Sequence, residues 1–247
     1  MAAIAGLGGV AGKVLKQIKG NPAFRPRGPA LAAAHAFALG LLVGMGACLV
    51  LFSGGGLGVV PLGLYLLALG TFHALEYSLT ALFHPDTLSV DSFLINHSKA
   101  FWTAMGASWL EFVLELWLAP WLKALWPVTL LGFAVVVAGQ ALRTYAMWSA
   151  GVSFTHLVAY EKRDEHVLVT SGIYSICRHP SYVGFFYWSI ATQVVLVNPV
   201  CIIGFAVASW FFFADRIPDE EEQLIEFFHE DYIKFRKTVP SGIPFIA

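Results

Sequence analysis

The sequence predicts an all-α integral membrane protein: a multi-span helical bundle of about six spans, with a C-terminal helical hairpin and a pocket on its cytosolic side built by two polar segments. Three observations predict it. Hydrophobic residues make up 57% of the 247 and charged residues 13%, and the mean hydropathy is +0.69, more apolar character than a soluble domain of this size hides in one core. The apolar runs are about twenty residues long, the length of a membrane helix and about twice that of a barrel strand. In lipid, only helices or closed barrels pair every backbone polar group, so runs of this length require helices.

The first twenty residues place Lys13, Lys16 and Lys19 after small and apolar residues, the reverse of a signal peptide. Residues 1–29 therefore read as a basic membrane-surface segment, with a disordered tail as the alternative. Four spans follow, at about 30–53, 58–82, 100–118 and 127–148, divided by Gly-rich, polar and Pro/Trp-rich breaks, and they make up residues 30–148. Residues 149–181 are a polar connector. The apolar block 182–214 is interrupted at Asn198-Pro199 and reads as a hairpin of two short spans. One long helix kinked at Pro199 is the competing reading, and it moves the C-terminus to the opposite face. Residues 215–247 form a polar, amphipathic C-terminal segment.

Charge placement favours the hairpin. With Lys13, Lys16, Lys19, Arg25 and Arg27 cytosolic, six spans put Lys99, Lys162, Arg163, Arg178, Arg216, Lys234, Arg236 and Lys237 on that side and leave only Lys123 in an outer loop. Both termini then face the cytosol. Cys48, Cys177 and Cys201 lack metal-ligand spacing, and only Cys177 lies near water, so no disulfide framework is expected. The connector and the C-terminal segment are each too short for a Rossmann domain, and no G-x-G-x-x-G or P-loop follows a strand. Any cofactor must be held where these two segments meet the membrane helices.

Arg178-His179-Pro180 opens the last apolar block. Pro180 suits the first position of a helix and pushes His179 towards an extended conformation. The new helix start, with Ser181, offers N–H groups to a carboxylate or phosphate. The plainer reading is a membrane entry in which Arg178 snorkels and Tyr182 and Trp188 join the aromatic belt. In "DRIPDEEEQLIEFF", Asp215 and Arg216 end an apolar helix, and Pro218 followed by acids opens an amphipathic one. For Glu221 and Glu222 the expected role is to complement the helix dipole. Arg216 can present a planar fork to a carboxylate at the lipid boundary, with snorkelling as its alternative. Within the spans sit His73, Glu76, Glu111, Glu115 and Arg143. Glu111 and Glu115 share one helix face, and Arg143 is expected to pair with either as interhelical glue, a proton path being the sharper alternative. The spacing of His156, His166 and His179 matches no metal-binding pattern, and there is no G-x-S-x-G elbow.

The stretches "HVLVTSGIYSICRHPSYVGFFYW", "DRIPDEEEQLIEFFHEDYIKFRKTVPSGIPFI" and "HALEYSLTALFHPDTLSVDSFLINHS" together resemble the protein-S-isoprenylcysteine O-methyltransferase family, over roughly Phe24 to the end. Phospholipid methyltransferases and sterol reductases carry comparable C-terminal segments, but "SGIPFI" and "SFLINHS" make the isoprenylcysteine family the nearer match. The resemblance implies methylation of the C-terminal carboxylate of prenylated CaaX proteins at the endoplasmic reticulum membrane. It implies S-adenosyl-L-methionine as cofactor, S-adenosyl-L-homocysteine as product, and no nucleic-acid partner. By motif position, His166, Val167, Leu168, Val169, Tyr174, His179, Pro180, Ser181, Tyr182 and Glu220 line the cofactor pocket. Ala159, seven residues before His166, contributes only backbone, because vertebrate relatives often carry glutamine there. The resemblance implies Arg216 as the catalytic and substrate-binding residue. Animal members are described with eight spans, whereas six are counted here.

Overall fold

The computed structural model describes residues 28–56, 58–95 and 99–247, so the basic segment expected over residues 1–29 lies outside it except for its last two residues. Seven α-helices follow in order: α1 (Gly28–Phe52), α2 (Val59–Phe83), α3 (Lys99–Leu118), α4 (Trp126–Ala150), α5 (Pro180–Leu196), α6 (Pro199–Phe228) and α7 (Glu230–Thr238). No strand occurs among the described residues. Helices α1, α2 and α6, with α4 carried on to Ser153, are long and apolar enough to cross a membrane. Helix α5 has 17 residues, and α3 carries Lys99, Glu111 and Glu115.

Glycine sets the approach of α4 and α5. A Cβ on Gly139 of α4 would lie 2.8 Å from the Gly184 carbonyl oxygen of α5, and one on Gly184 would lie 2.7 Å from that of Gly139. Small residues of this kind let membrane helices touch backbone to backbone. The antiparallel α4–α5 pair carries Arg143 and Ser181 side by side, so its spacing reaches the polar end of the bundle. Gly184→Val therefore forces overpacking, typically about 1–3 kcal/mol, and pushes directly on Arg143. A lowered thermal midpoint in detergent is the expected result.

At one end of the bundle the chain reverses between α5 and α6. Val197 adopts a left-handed φ of 54°, Asn198 is buried and Pro199 takes the first helical turn. These are two helices, and the alternative of one kinked helix does not hold. Lys123, expected in an outer loop, is buried inside this reversal. Its ammonium donates to Glu115 (2.5 Å), to the Leu196 and Val197 carbonyls (2.7 and 3.0 Å) and to Asn198 Oδ1 (3.0 Å). Glu111 accepts from the Val200 and Cys201 N–H groups, both at 2.7 Å, where a carboxylate complements a helix N-terminus.

Two expectations are corrected here. Arg143 pairs with neither Glu111 nor Glu115, because those acids sit at the α6 start while Arg143 lies towards the other end of the bundle; its partner is Glu76. The helix expected to end at Asp215–Arg216 instead runs unbroken to Phe228, with Pro218 inside it. Proline removes one hydrogen bond and strains its turn, but Phe213, Ile217 and Glu221 recur every four residues and are all buried. One continuous buried stripe holds the helix through the proline.

Candidate functional site

The C-terminal ends of α2, α4 and α6 meet the start of α5 at the opposite end of the bundle from Lys123. Pro180 occupies the first turn of α5 as expected, with His179 before it. Arg178 does not snorkel; it and His179 are both buried. Their N–H groups donate to the carbonyls of Pro240 (2.9 Å) and Ser241 (3.2 Å), so the C-terminal strap pairs with this entry. Gly242 makes the pairing possible: its φ is +100°, a conformation that favours glycine, and a Cβ there would lie 2.6 Å from Val183. Cys177, expected near water, is buried under the same strap.

Beneath the strap lies Glu221, whose side chain is 1% exposed. Arg178 donates to it at 2.7 Å and the His179 ring lies at 3.0 Å, while the Arg236 guanidinium approaches the other oxygen at 2.9 Å. Arg178 also donates to the Arg236 and Val239 carbonyls. Glu221 is therefore the hub that joins α5, α6 and α7. A simple dipole role, expected from its place in an acidic run, does not describe it.

Between connector and C-terminal helices opens a cleft of about 870 Å³, counted out to solvent. Its walls bring together Ala159, His166, Val167, Leu168 and Val169 from the connector, then Tyr174, then His179, Pro180, Ser181 and Tyr182, and Glu220 from α6. Arg178, Gln223, Leu224, Phe227, Phe228, Tyr232 and Phe235 complete one side, and Ala150, Ser153, Phe154 and Thr155 the other. Arg178 Nη2 is buried without a hydrogen-bond partner, so the wall holds a cationic donor in need of an acceptor. Part of the anion capacity expected of the α5 start is already used: the Tyr182 and Val183 N–H groups both donate to the His179 carbonyl.

His166 is anchored at the cleft by Arg163, whose Nη2 lies 2.7 Å from His166 Nε2. Since arginine can only donate, Nε2 accepts and the ring is neutral. Burial first, then the Arg163 charge, then His84, hold the imidazole below its ordinary value of 6.5. Below pH 6.5 the unfolded chain takes up a proton here that the folded chain does not, so stability falls with acidification until the depressed folded value is reached. The expected result is a thermal midpoint that drops below pH 6.5, less steeply in His166→Gln. At the far side, burial and then the Glu221 carboxylate push the Tyr232 phenol up.

Arg216 does not line the cleft. It stands behind Tyr182, donating from Nε to the Tyr182 hydroxyl (3.2 Å) and from Nη2 to the His156 carbonyl (2.8 Å). The Tyr182 hydroxyl in turn donates to Glu220. One phenol thus separates the cleft from an arginine at the apolar boundary. Behind Arg216, Glu76 of α2 accepts from Arg143 Nε (2.6 Å) and Nη2 (2.7 Å) and from His156 Nε2 (2.7 Å). Arg143 Nη1 reaches the Ser181 hydroxyl at 3.0 Å. Sequence reasoning singled out Glu76 and His156 without giving either a partner; a lone acid in an apolar span is the signal that was there to follow.

Fold and cleft together define a multi-pass α-helical membrane protein with a cleft of mixed polar and aromatic lining at one end of its bundle. Residues 130–226 match the isoprenylcysteine carboxyl methyltransferase (ICMT) family. A protein-S-isoprenylcysteine O-methyltransferase of Dictyostelium discoideum is 53% identical over 74% of this chain and 76% of its own length. One of Xenopus laevis is 50% identical over 75% of this chain. A solved structure described as the eukaryotic intramembrane Ras methyltransferase ICMT superposes with a TM-score of 0.81 at 43% identity, covering 84% of this chain and 74% of that one. The chain belongs to the isoprenylcysteine carboxyl methyltransferase family. It spans 65% of the length of the Xenopus laevis relative.

Proposed function

We propose that this chain transfers a methyl group from S-adenosyl-L-methionine to the C-terminal α-carboxylate of a prenylated cysteine in CaaX proteins, at the cytosolic face of the endoplasmic reticulum membrane. The observation that carries the reading is the adjacency of the cleft, with its mixed polar and aromatic lining, and Arg216, joined through Tyr182 at the edge of the apolar helices. The relatives' names support the acceptor.

The cleft suits the cofactor. The unpaired Arg178 donor matches a carboxylate, Glu220 matches an ammonium or ribose hydroxyls, and the Phe227, Phe228 and Phe235 side offers rings to a base. S-adenosyl-L-methionine supplies an electrophilic methyl on a sulfonium that leaves as a neutral thioether. The α-carboxylate, with a reference pKa of about 3.5, is already ionised, so the protein needs no general base. Its residues act by positioning and by excluding water. Arg216 orients the carboxylate, and Tyr182 holds both Arg216 and the cleft wall. A prenyl chain prefers lipid by about 0.8 kcal/mol per buried CH₂, so the acceptor reaches Arg216 from the bilayer while the cofactor enters from water.

Six crossings fit this arrangement. Hydrogen bonds at both ends of the bundle alternate the direction of α2 to α6, and α1 packs antiparallel on α2 through Gly46, Gly63 and Gly70. Both termini then share the cytosolic side with the connector (149–181) and the C-terminal segment (215–247). The test is methyl transfer from radiolabelled S-adenosyl-L-methionine to N-acetyl-farnesylcysteine by the full chain in detergent, with cofactor binding followed by calorimetry. Turnover is expected. Cofactor binding with transfer only to phospholipid headgroups would reassign the acceptor, and no binding at all would remove the methyltransferase reading.

A further inference from the structure

The connector is the least regular part of the site. Among the described residues, the stretch 155–165 takes part in a single backbone-to-backbone hydrogen bond, from the His166 N–H to the Arg163 carbonyl. Side chains hold the rest: Tyr160 donates to Asp219 (3.0 Å), Lys162 to the Phe227 carbonyl (2.9 Å) and Arg163 to the Val152 carbonyl (3.1 Å). At the start of this stretch the anchor is the His156 ring. Its Nε2 lies 2.7 Å from Glu76 Oε2. A carboxylate that already receives two donors from Arg143 is ionised and accepts, so Nε2 carries the proton.

The His156 carbonyl is also one of the two supports of the Arg216 guanidinium. With Tyr182 on Nε and the carbonyl on one hydrogen of Nη2, the guanidinium keeps hydrogens on both terminal nitrogens for a carboxylate. That fork points in one direction only while both supports hold.

We infer that His156 is a positioning residue for acceptor binding: its ring, fixed by the buried Glu76 carboxylate, sets the main-chain carbonyl that aims Arg216. The inference rests on the acceptor role proposed for Arg216. His156 itself does not line the cleft, although Thr155 beside it does, so acceptor and cofactor affinity have to be read separately. Losing the ring lets an otherwise weakly held backbone shift and the arginine turn, which weakens capture of the carboxylate.

The experiment compares wild type, His156→Ala, His156→Gln, Arg216→Lys and the His156→Ala/Arg216→Lys double variant as full chains in detergent, using N-acetyl-farnesylcysteine as acceptor. Glutamine places an amide N–H near the position of Nε2 and keeps the anchor. For His156→Ala, a rise in acceptor KM of at least about tenfold is expected, with cofactor Kd within about twofold of wild type. His156→Gln should stay within about threefold of wild type, and in the Arg216→Lys background the alanine change should cost under about threefold, because the two act as one unit. Equal losses in acceptor and cofactor affinity, failure of glutamine to rescue, or multiplying losses in the double variant would overturn it. Wild type without turnover would instead remove the acceptor reading on which the inference stands.

Discussion

Glu76→Gln should destabilise the folded chain by about 3–5 kcal/mol, the cost of leaving a buried charge without its partner. Glu76 is 0% exposed and receives three hydrogen bonds, two from Arg143 and one from His156. The Arg143 guanidinium lies 5.6 Å from the Phe72 ring centroid and 5.4 Å from that of Phe185, so aromatic rings flank the charge. Interhelical hydrogen bonds in membranes average only about 0.6 kcal/mol, too little for a loss of this size. The uncompensated arginine decides it. Thermal and denaturant unfolding in detergent measure the loss, and a change below about 1 kcal/mol would show that the pair is not desolvated as the structure has it. The double change Glu76→Leu/Arg143→Met removes both charges and should recover most of the stability. Activity should stay low, because Ser181 and His156 both lose their anchors.

The helices were legible because hydropathy and breakers mark them directly. The four blocks placed at 30–53, 58–82, 100–118 and 127–148 became helices 28–52, 59–83, 99–118 and 126–150, and Asn198-Pro199 divided the last block where the chain reverses. The run through Pro218 was not legible, since proline after a charged pair is locally a stop signal. What overrides it is a buried stripe whose partners, such as Ile243, come from the C-terminal strap. Pairings were less legible still. Arg143 had three acids to choose from, and the choice depends on which ends of which helices meet. Glu221 looked like a dipole partner because Pro218 and the acids after it read as a helix start, which the unbroken helix removes; only the fold turns it under Arg178 and Arg236. Motif resemblance named Ala159, His166 to Val169, Tyr174, His179 to Tyr182 and Glu220 but missed the aromatic wall of Phe227, Phe228, Tyr232 and Phe235, and composition alone pointed no nearer than the junction of the two polar segments.

Arg216→Ala should lower kcat/KM for a prenylcysteine acceptor by about 10²–10³, the range expected when a charged donor to the reacting group is lost from a desolvated site, while cofactor binding stays close to wild type. The separation follows from the geometry: Arg216 contacts Tyr182 and His156 but not the cleft. The arginine faces a constraint, because a contact that stabilised the ground-state carboxylate as much as the transition state would lower KM without raising kcat. A fork held from behind at Nε and Nη2 can fix the direction of the carboxylate and leave an oxygen lone pair facing the methyl donor. Lysine keeps the charge but is a point donor on a flexible stem, so Arg216→Lys should recover acceptor affinity better than kcat. Tyr182→Phe removes one support and should give a milder version of the alanine defect. Steady-state kinetics on the three variants check the order, and an alanine variant that turns over like wild type would take Arg216 out of the reaction.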